Sequence, residues 1–510
     1  MADNVSSNKL IAKNTIYLYI RMIVILIVTL FTSRIILDAL GTQDYGINNI
    51  VNGIVVLFSF LNTALLTGTQ RFLNFYLGKN DLGKVNSVFC MSMNAYFILS
   101  VIIFIVGETV GLWFVNTKLN IPVERHGAAI WVYQFTLLQF VLSIIRIPYN
   151  ATIIAYEKMN FYAYVSLVEV LAKLIVAYCI YVSVYDKLIV FSFLNTIIVF
   201  VILLAYKLYC NKKYSISKFK LFWDKTIFND IFSFSGWSLF GSMANLAAQQ
   251  GLNILLNIFY GVALNAAAGI ANQVSSAVNG FVSNFQVAIQ PQITKSYASN
   301  DMRRFTSLIF QTSRFSFYLM FILIVPLFVA LDTILDLWLV EVPKYTSIFC
   351  RLILIFLCMD AFSMPIVFGV QATGRIRNYQ ILMTLLILLN FPIAWYVLKV
   401  GYPPYSIWLV RIGVNILVIL SRCIYMWKNM ELSICSFAKE TLLPVGLVII
   451  ITLPLPILLK TIFEKTIVND IGICVFSLAY AIFAIAIVGI TKEERKMISN
   501  LVINRLQIRR

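Results

Sequence analysis

Arg34-Ile35-Ile36-Leu37-Asp38-Ala39-Leu40-Gly41-Thr42-Gln43-Asp44-Tyr45-Gly46 separates two long apolar segments. One runs into it from Thr15 and the other leaves it at Ile47. Charges and glycines between two segments of membrane length mark a tight reversal of the chain. A weaker echo of the same stretch lies about 220 residues further on. Its reading sets the expectation for the rest: an all-α integral membrane protein built by duplication.

Composition agrees. Of the 510 residues, 60% are hydrophobic and only 12% charged, against about 45–50% and 25% in soluble domains. The net charge of +18 would suggest nucleic acid in a soluble chain. Here the basic residues sit mostly in short loops between apolar runs, where they orient a membrane protein, so no nucleic-acid partner is expected. The eight cysteines (Cys90, Cys179, Cys210, Cys350, Cys358, Cys423, Cys435, Cys474) form no CxxC, and His126 is the only histidine. No metal site is expected from such a set. Residues 1–14 are polar, and the run behind them is too long for a signal-peptide core. They read as the lead into an uncleaved first helix.

A helix needs about 20 apolar residues to span the hydrocarbon. Fourteen runs qualify: 15–37, 47–68, 86–107, 128–152, 161–182, 188–209, 231–258, 266–290, 308–330, 346–370, 379–399, 405–427, 441–460 and 471–490. The loops test this count. Lysines and arginines collect in alternate loops: Arg71, Lys79 and Lys84; the lysines of 207–230; Lys295, Arg303 and Arg304; Arg375 and Arg377; Arg422, Lys428 and Lys439. Asp38, Asp44, Asp332, Asp336 and Glu341 fall in the others. The positive-inside rule then puts both termini in the cytoplasm. The expected organisation is a six-helix bundle over 1–210, a cytoplasmic linker at 211–230, a second six-helix bundle over 231–430, and a helix pair with a basic tail over 431–510.

Two stretches read alike. Leu40-Gly41, Tyr45-Gly46-Ile47-Asn48-Asn49, Gln70-Arg71-Phe72, Tyr76 and Asn80-Asp81 match Tyr260-Gly261, Ala268-Gly269-Ile270-Ala271-Asn272, Gln290-Pro291-Gln292, Tyr297 and Asn300-Asp301. The first set spans helices 1–2 and the second helices 7–8, which run the same way, so the repeat is parallel. Two bundles facing each other across a cleft would follow, a design suited to alternating access. A duplicated pair has little use in a single-site enzyme.

The stretch 34–46 resembles the LG-x-x-x-YG hallmark of polysaccharide flippases, the O-antigen or Wzx-type branch of the MOP (multidrug/oligosaccharidyl-lipid/polysaccharide) superfamily, with its MATE-like fold. The runs 250–257, 265–273 and 291–298 are similar to bacterial members of that branch. The resemblance covers helices 1–12. It implies a carrier that moves undecaprenyl-pyrophosphate-linked oligosaccharide (an O-antigen, capsule or exopolysaccharide repeat unit) from the cytoplasmic to the outer leaflet of a bacterial inner membrane. The implied partners are that substrate, membrane lipid, and the polymerase and chain-length proteins of the same pathway. No cofactor is implied beyond H+ or Na+ as a coupling ion.

Ionisable residues inside spans default to functional candidates. Arg21, Arg34, Arg146, Lys173, Arg314, Arg351 and Arg411 stand against two acids, Glu169 and Asp360. A surplus of cations wants an anionic guest, and the planar fork of arginine suits phosphate oxygens. Candidate substrate contacts are therefore Arg21, Arg34, Arg146, Arg314, Arg351 and Arg411, joined by the amides Gln249, Asn253, Asn257 and Asn272. Glu169, Asp360 and Asp38 are the candidates for ion coupling. Each has a plainer alternative. Arg34 with Asp38, and Glu169 with Lys173, have the four-residue spacing of helix ion pairs. Arg146 and Arg314 can snorkel. Asp360 can take an arginine partner, and amides also join membrane helices.

Two rival functions stay open. A multidrug or metabolite exporter of the same fold would take cationic drugs and should favour acids in its cavity. A membrane polysaccharide polymerase or glycosyltransferase would need a long external loop or a carboxylate cluster, and neither is present, so no catalytic residue is assigned. No G-x-x-x-x-G-K-[ST] occurs, which argues against ATP hydrolysis by this chain.

Overall fold

The computed structural model describes residues 2–491 apart from 57, 58, 119, 120, 221, 340 and 465, together with 494 and 495. Most of the basic tail expected after residue 490, from 496 on, lies outside the described residues. Backbone donors and acceptors cannot be left unmade in hydrocarbon, and all the regular structure among the described residues is helical. In order these are α1 (Ala2–Val56), α2 (Ser59–Gly78), α3 (Leu82–Val106), α4 (Leu112–Lys118), α5 (His126–Ala155), α6 (Met159–Val182), α7 (Lys187–Lys213), α8 (Lys225–Tyr260), α9 (Val262–Ala298), α10 (Met302–Trp338), α11 (Thr346–Thr373), α12 (Arg377–Leu388), α13 (Asn390–Lys399), α14 (Ser406–Met430), α15 (Ile434–Phe437), α16 (Leu443–Thr452), α17 (Pro454–Ile462) and α18 (Ile467–Ala484).

Eleven helical stretches among the described residues are long and apolar enough to cross a membrane. The protein is thus a multi-pass membrane protein, with fewer clearly apolar spans than the fourteen expected. The three not in that set are 47–68, 231–258 and 266–290. The last two are helical, in α8 and α9, but amides such as Asn245, Gln249, Asn253, Asn272 and Asn279 dilute their hydropathy. The first is shared between the end of α1 and α2.

The reversal at 34–46 is sharper than a loop. α1 continues through it and breaks only at Gly41, where φ is +77°. A residue with a Cβ is strained there. Gly261, between α8 and α9, has φ +78°. Asn80 and Asn300, both past the end of a helix, have φ +57° and +60°. The duplicated stretches therefore share backbone conformation at equivalent points. They also touch. Gln70 donates to Gln290, its equivalent 220 residues on, at 3.4 Å. A Cβ on Gly78 would stand 2.8 Å from Cβ of Ala298, again its equivalent. Glycine is what lets α2 and α9 approach so closely there.

The chain divides into two compact units. The first holds Met1–Met243, Val287–Asp301 and Gly374–Arg377; the second holds Ala244–Gln286, Met302–Thr373 and Asn378–Arg510. The stretch 211–230 lies inside the first unit, and the change of unit falls within α8 and α9.

In the first unit α1 packs on α6, and α5 on α2, α3 and α7. Ile47, Val51, Val115, Val132 and Leu188 fill one core between α1, α4, α5 and α7. In the second unit α11 packs between α10 and α14, and α18 lies on α10. Lipid is as apolar as leucine, so helix contacts in a membrane depend on close packing and buried polar bonds. The C-terminal helices show both. Tyr318 of α10 donates to the carbonyl of Gly489 at 3.0 Å, Lys460 of α17 pairs with Asp332 at 3.6 Å, and Thr333 donates to the buried Asp470.

Candidate functional site

An arginine inside a bundle needs an acid, an aromatic face or a polar cavity. The second unit offers all three around α14. Arg411, Asn415, Val418 and Arg422 follow one another at steps of four, three and four, so one face of the helix carries them. That face lines a cavity of about 270 Å³. α11 adds Phe356, Leu357 and Asp360; α8 adds Asn245, Ala248, Gln249 and Leu252; α9 adds Ser275, Ser276 and Asn279. Ile387 and Asn390 complete it.

Arg422 is held on three sides. Its Nε donates to the Tyr379 hydroxyl at 3.2 Å, and its Nη1 to Ser363 at 2.5 Å and to Asp360 at 3.3 Å. Its Nη2 makes no hydrogen bond among the described residues. Arg411 has no carboxylate within ion-pair distance among the described residues. It rests on the faces of Phe356 and Trp408, at 4.1 and 5.5 Å. Nδ2 of Asn415 and Oδ1 of Asn390 are buried without a partner, a costly state that a polar guest would relieve. The cavity can therefore hold an anion at its arginines and hydroxyl-rich groups at its amides.

The first unit builds a second charged cluster. Glu169 of α6 takes Lys173, one turn on, at 2.8 Å, and Arg146 of α5 at 3.6 Å. Arg146 also stands over the ring of Tyr206 at 5.6 Å. With Asn62, Thr63, Ser143 and Asn150 it lines a smaller cavity of about 130 Å³. Arg21 of α1 stacks on Tyr162 at 4.5 Å, and its Nε is buried without a partner.

The remaining candidates fall elsewhere. Arg314 is buried against the C-terminal helices, donating to the carbonyl of Glu440 at 2.9 Å and pairing with Glu494. Arg351 pairs with Asp332 at 2.8 Å. Gln249 lines the cavity, whereas Asn253 bonds Gln250 at 3.4 Å, Asn257 is exposed, and Asn272 keeps a buried Oδ1 with no partner, outside the lining. Arg34 and Asp38 are exposed and do not pair. The Tyr181 hydroxyl of α6 donates to Asp38 instead, because a neighbouring helix brings a donor closer than the turn of α1 does.

Two features escape the sequence reading. Arg422, grouped there with loop cations, is a buried residue of α14. Its signal was available: eleven residues from Arg411, with Asn415 between, it continues one helical face. The second is a clamp at the start of α5. Arg125 grips Asp44 through Nε at 2.8 Å and through Nη2, and reaches Asp186 at 2.5 Å. Asp186 also caps α7, accepting from the backbone of Leu188 and Ile189 at 3.1 and 3.2 Å. Burial alone would raise the Asp186 carboxyl, but the Arg125 bond, with the two amides, holds it below the usual carboxylate value. Nothing in the local sequence links these three residues.

No protein-family model matches the chain, and no curated protein does. Solved structures do. An outward-facing multidrug-resistance MATE family transporter of the MOP superfamily superposes with a TM-score of 0.69 at 16% identity, over 84% of this chain and 96% of that one. A MATE transporter in its straight conformation gives 0.71 at 15%, over 85% and 97%. A MOP superfamily transporter from Pyrococcus furiosus Vc1 (DSM3638), described by a binding pocket of reverse polarity that suggests a different function, gives 0.68 at 15%, over 83% and 96%. At this identity the likeness is one of fold: the chain has the architecture of MATE-type transporters of the MOP superfamily.

Proposed function

We propose that the protein flips a lipid-linked oligosaccharide, carried on undecaprenyl pyrophosphate, from the cytoplasmic to the outer leaflet of a bacterial inner membrane. One observation carries this reading: the polar cavity of the second unit holds two arginines to one carboxylate, and one of them, Arg411, has no carboxylate within ion-pair distance among the described residues. A pyrophosphate supplies the missing negative charge, and arginine binds its oxygens through paired N–H groups. The sugar hydroxyls suit Gln249, Asn390 and Asn415, while the long apolar tail stays in lipid. A MATE-type fold supports transport by alternating access. H+ or Na+ is the proposed coupling ion, with Asp360 and Glu169 as the carboxylates to test and Asp38 as the third. Both termini are proposed to face the cytoplasm, where the basic loops lie. Polymerase and chain-length proteins are the proposed partners.

A second reading is a multidrug exporter, favoured by the fold shared with a transporter described by multidrug resistance. An organic cation would meet Arg411 and Arg422 in this cavity, which weighs against it. The deciding experiment reconstitutes the protein in liposomes and follows a fluorescent undecaprenyl-pyrophosphate oligosaccharide between leaflets, with and without a proton or sodium gradient. Movement supports the flippase. No movement, with uptake of a small organic cation into the same vesicles, supports the exporter.

A further inference from the structure

An acid in the wall of a cavity that receives a polyanion repels the guest by like charge. Asp360 nevertheless lines the same space as both arginines. Among the described residues its ion-pair partner is Arg422, at 3.3 Å. That contact is long beside the roughly 2.7–2.9 Å of a tight charge-assisted bond, and about a third of the Asp360 side chain is exposed, 32%. The rest of the Arg422 fork is fixed without it, because Tyr379 takes Nε and Ser363 takes Nη1. Arg422 would keep its place if Asp360 let go. The charged and titratable groups around Asp360 are Arg422 and Arg411 of α14 and Tyr379 of α12. α8, α9 and α13 turn only amides, hydroxyls and apolar groups to the cavity, and α10 lines none of it.

We propose that Asp360 is a built-in stand-in for the anionic cargo: it occupies Arg422 while the cavity is empty and is displaced by a guest with several phosphate oxygens. This rests on reading the cavity as an anion site. Asp360 engages only Nη1 and leaves Nη2 unused. A diphosphate can take both nitrogens in a two-point grip and also feels the field of Arg411. It therefore gains more than Asp360 gives up. A single-point anion such as chloride exchanges one bond for one bond and gains nothing. Asp360 thereby becomes a specificity residue, raising the threshold that an anion must pass to enter.

The test uses the full-length protein in lipid nanodiscs, with inorganic pyrophosphate as the probe and calorimetry as the readout. Asp360→Asn should bind pyrophosphate about tenfold more tightly than the natural protein, the order expected when a charged hydrogen bond no longer has to be broken. Asp360→Ser should do the same, which guards against a folding defect peculiar to one variant. In an Arg422→Gln background the gain should vanish, because the competition is for that arginine. A gain that survives Arg422→Gln would reduce Asp360 to a simple repelling charge and overturn the proposal. Unchanged affinity in Asp360→Asn, with binding still weakened by Arg411→Ala, would overturn it and leave the anion site standing. Binding by neither the natural protein nor Asp360→Asn would remove the anion site as well.

Discussion

Each unit of this protein sets a carboxylate and a surplus of cations beside a cavity, yet the two clusters are built differently. In the first, Glu169 is gripped by Lys173 at 2.8 Å and Arg146 at 3.6 Å, beside a cavity of about 130 Å³. In the second, Asp360 touches one cation at 3.3 Å, in a cavity of about 270 Å³. Beside each cluster stands an arginine with no carboxylate within ion-pair distance among the described residues, stacked on an aromatic ring instead: Arg21 on Tyr162 and Arg411 on Phe356. A carboxylate held twice is harder to release, because releasing it strands two charges. A carboxylate held once, at a long distance and part-exposed to its cavity, can be exchanged for a guest.

The largest expected effect tests the unpaired arginines. Arg411→Ala should lower flipping at least about 100-fold, the scale of losing a charged contact to phosphate in a dry site, while membrane insertion and thermal midpoint stay normal. Arg21→Ala should do the same if the first unit also meets the cargo. Normal flipping in Arg21→Ala alone would sharpen the contrast and make the first cluster purely structural. Normal flipping in both would break the cavity argument.

The next effect lies in stability. Glu169→Gln leaves Arg146 and Lys173 without their acid and should cost roughly 2 kcal/mol, read as a lower thermal midpoint in detergent. Asp360→Asn should cost less than about 1 kcal/mol, because Arg422 keeps two other partners. Equal losses in the two variants would erase the distinction between a carboxylate held twice and one held once.

A smaller effect concerns pH at the Arg125 clamp. Asp186 in the folded protein titrates below its ordinary value, so its stabilising contribution is complete above the unfolded carboxylate pKa of about 4. It is lost as pH falls through the folded value. Thermal midpoints measured from pH 6 to pH 3 should therefore drop more steeply for the natural protein than for Asp186→Asn in the acid limb. Parallel curves would mean the clamp contributes nothing. The smallest effect is at Arg34 and Asp38, exposed and unpaired with each other: Arg34→Ala should change stability by less than about 0.5 kcal/mol.

Much of this architecture was legible in the residues. The low charge and long apolar runs dictated a helical membrane protein, since only internally bonded backbone survives in lipid. The duplication was readable because its matched positions, Gly41 with Gly261 and Asn80 with Asn300, are residues chosen for the left-handed backbone they adopt. Which cations fall within the apolar runs was readable by counting. Less readable was the number of clearly apolar spans, because α8 and α9 carry amides that a hydropathy measure counts against them and a helix packed in protein tolerates.

What the sequence alone determined is which charges enter the membrane and how many lack a counter-charge nearby along the chain. What only the tertiary structure decided is which of them meet. Arg422 finds Tyr379 43 residues away and Asp360 62 residues away, and Arg125 finds Asp44 across 81. Arg34 and Asp38, four apart and paired on paper, separate because Tyr181 arrives from another helix, 143 residues on. Local spacing fixes which residues share a helix face. Pairing in a low-dielectric bundle depends on a few ångströms between helices that are distant in sequence, and those distances are set by packing.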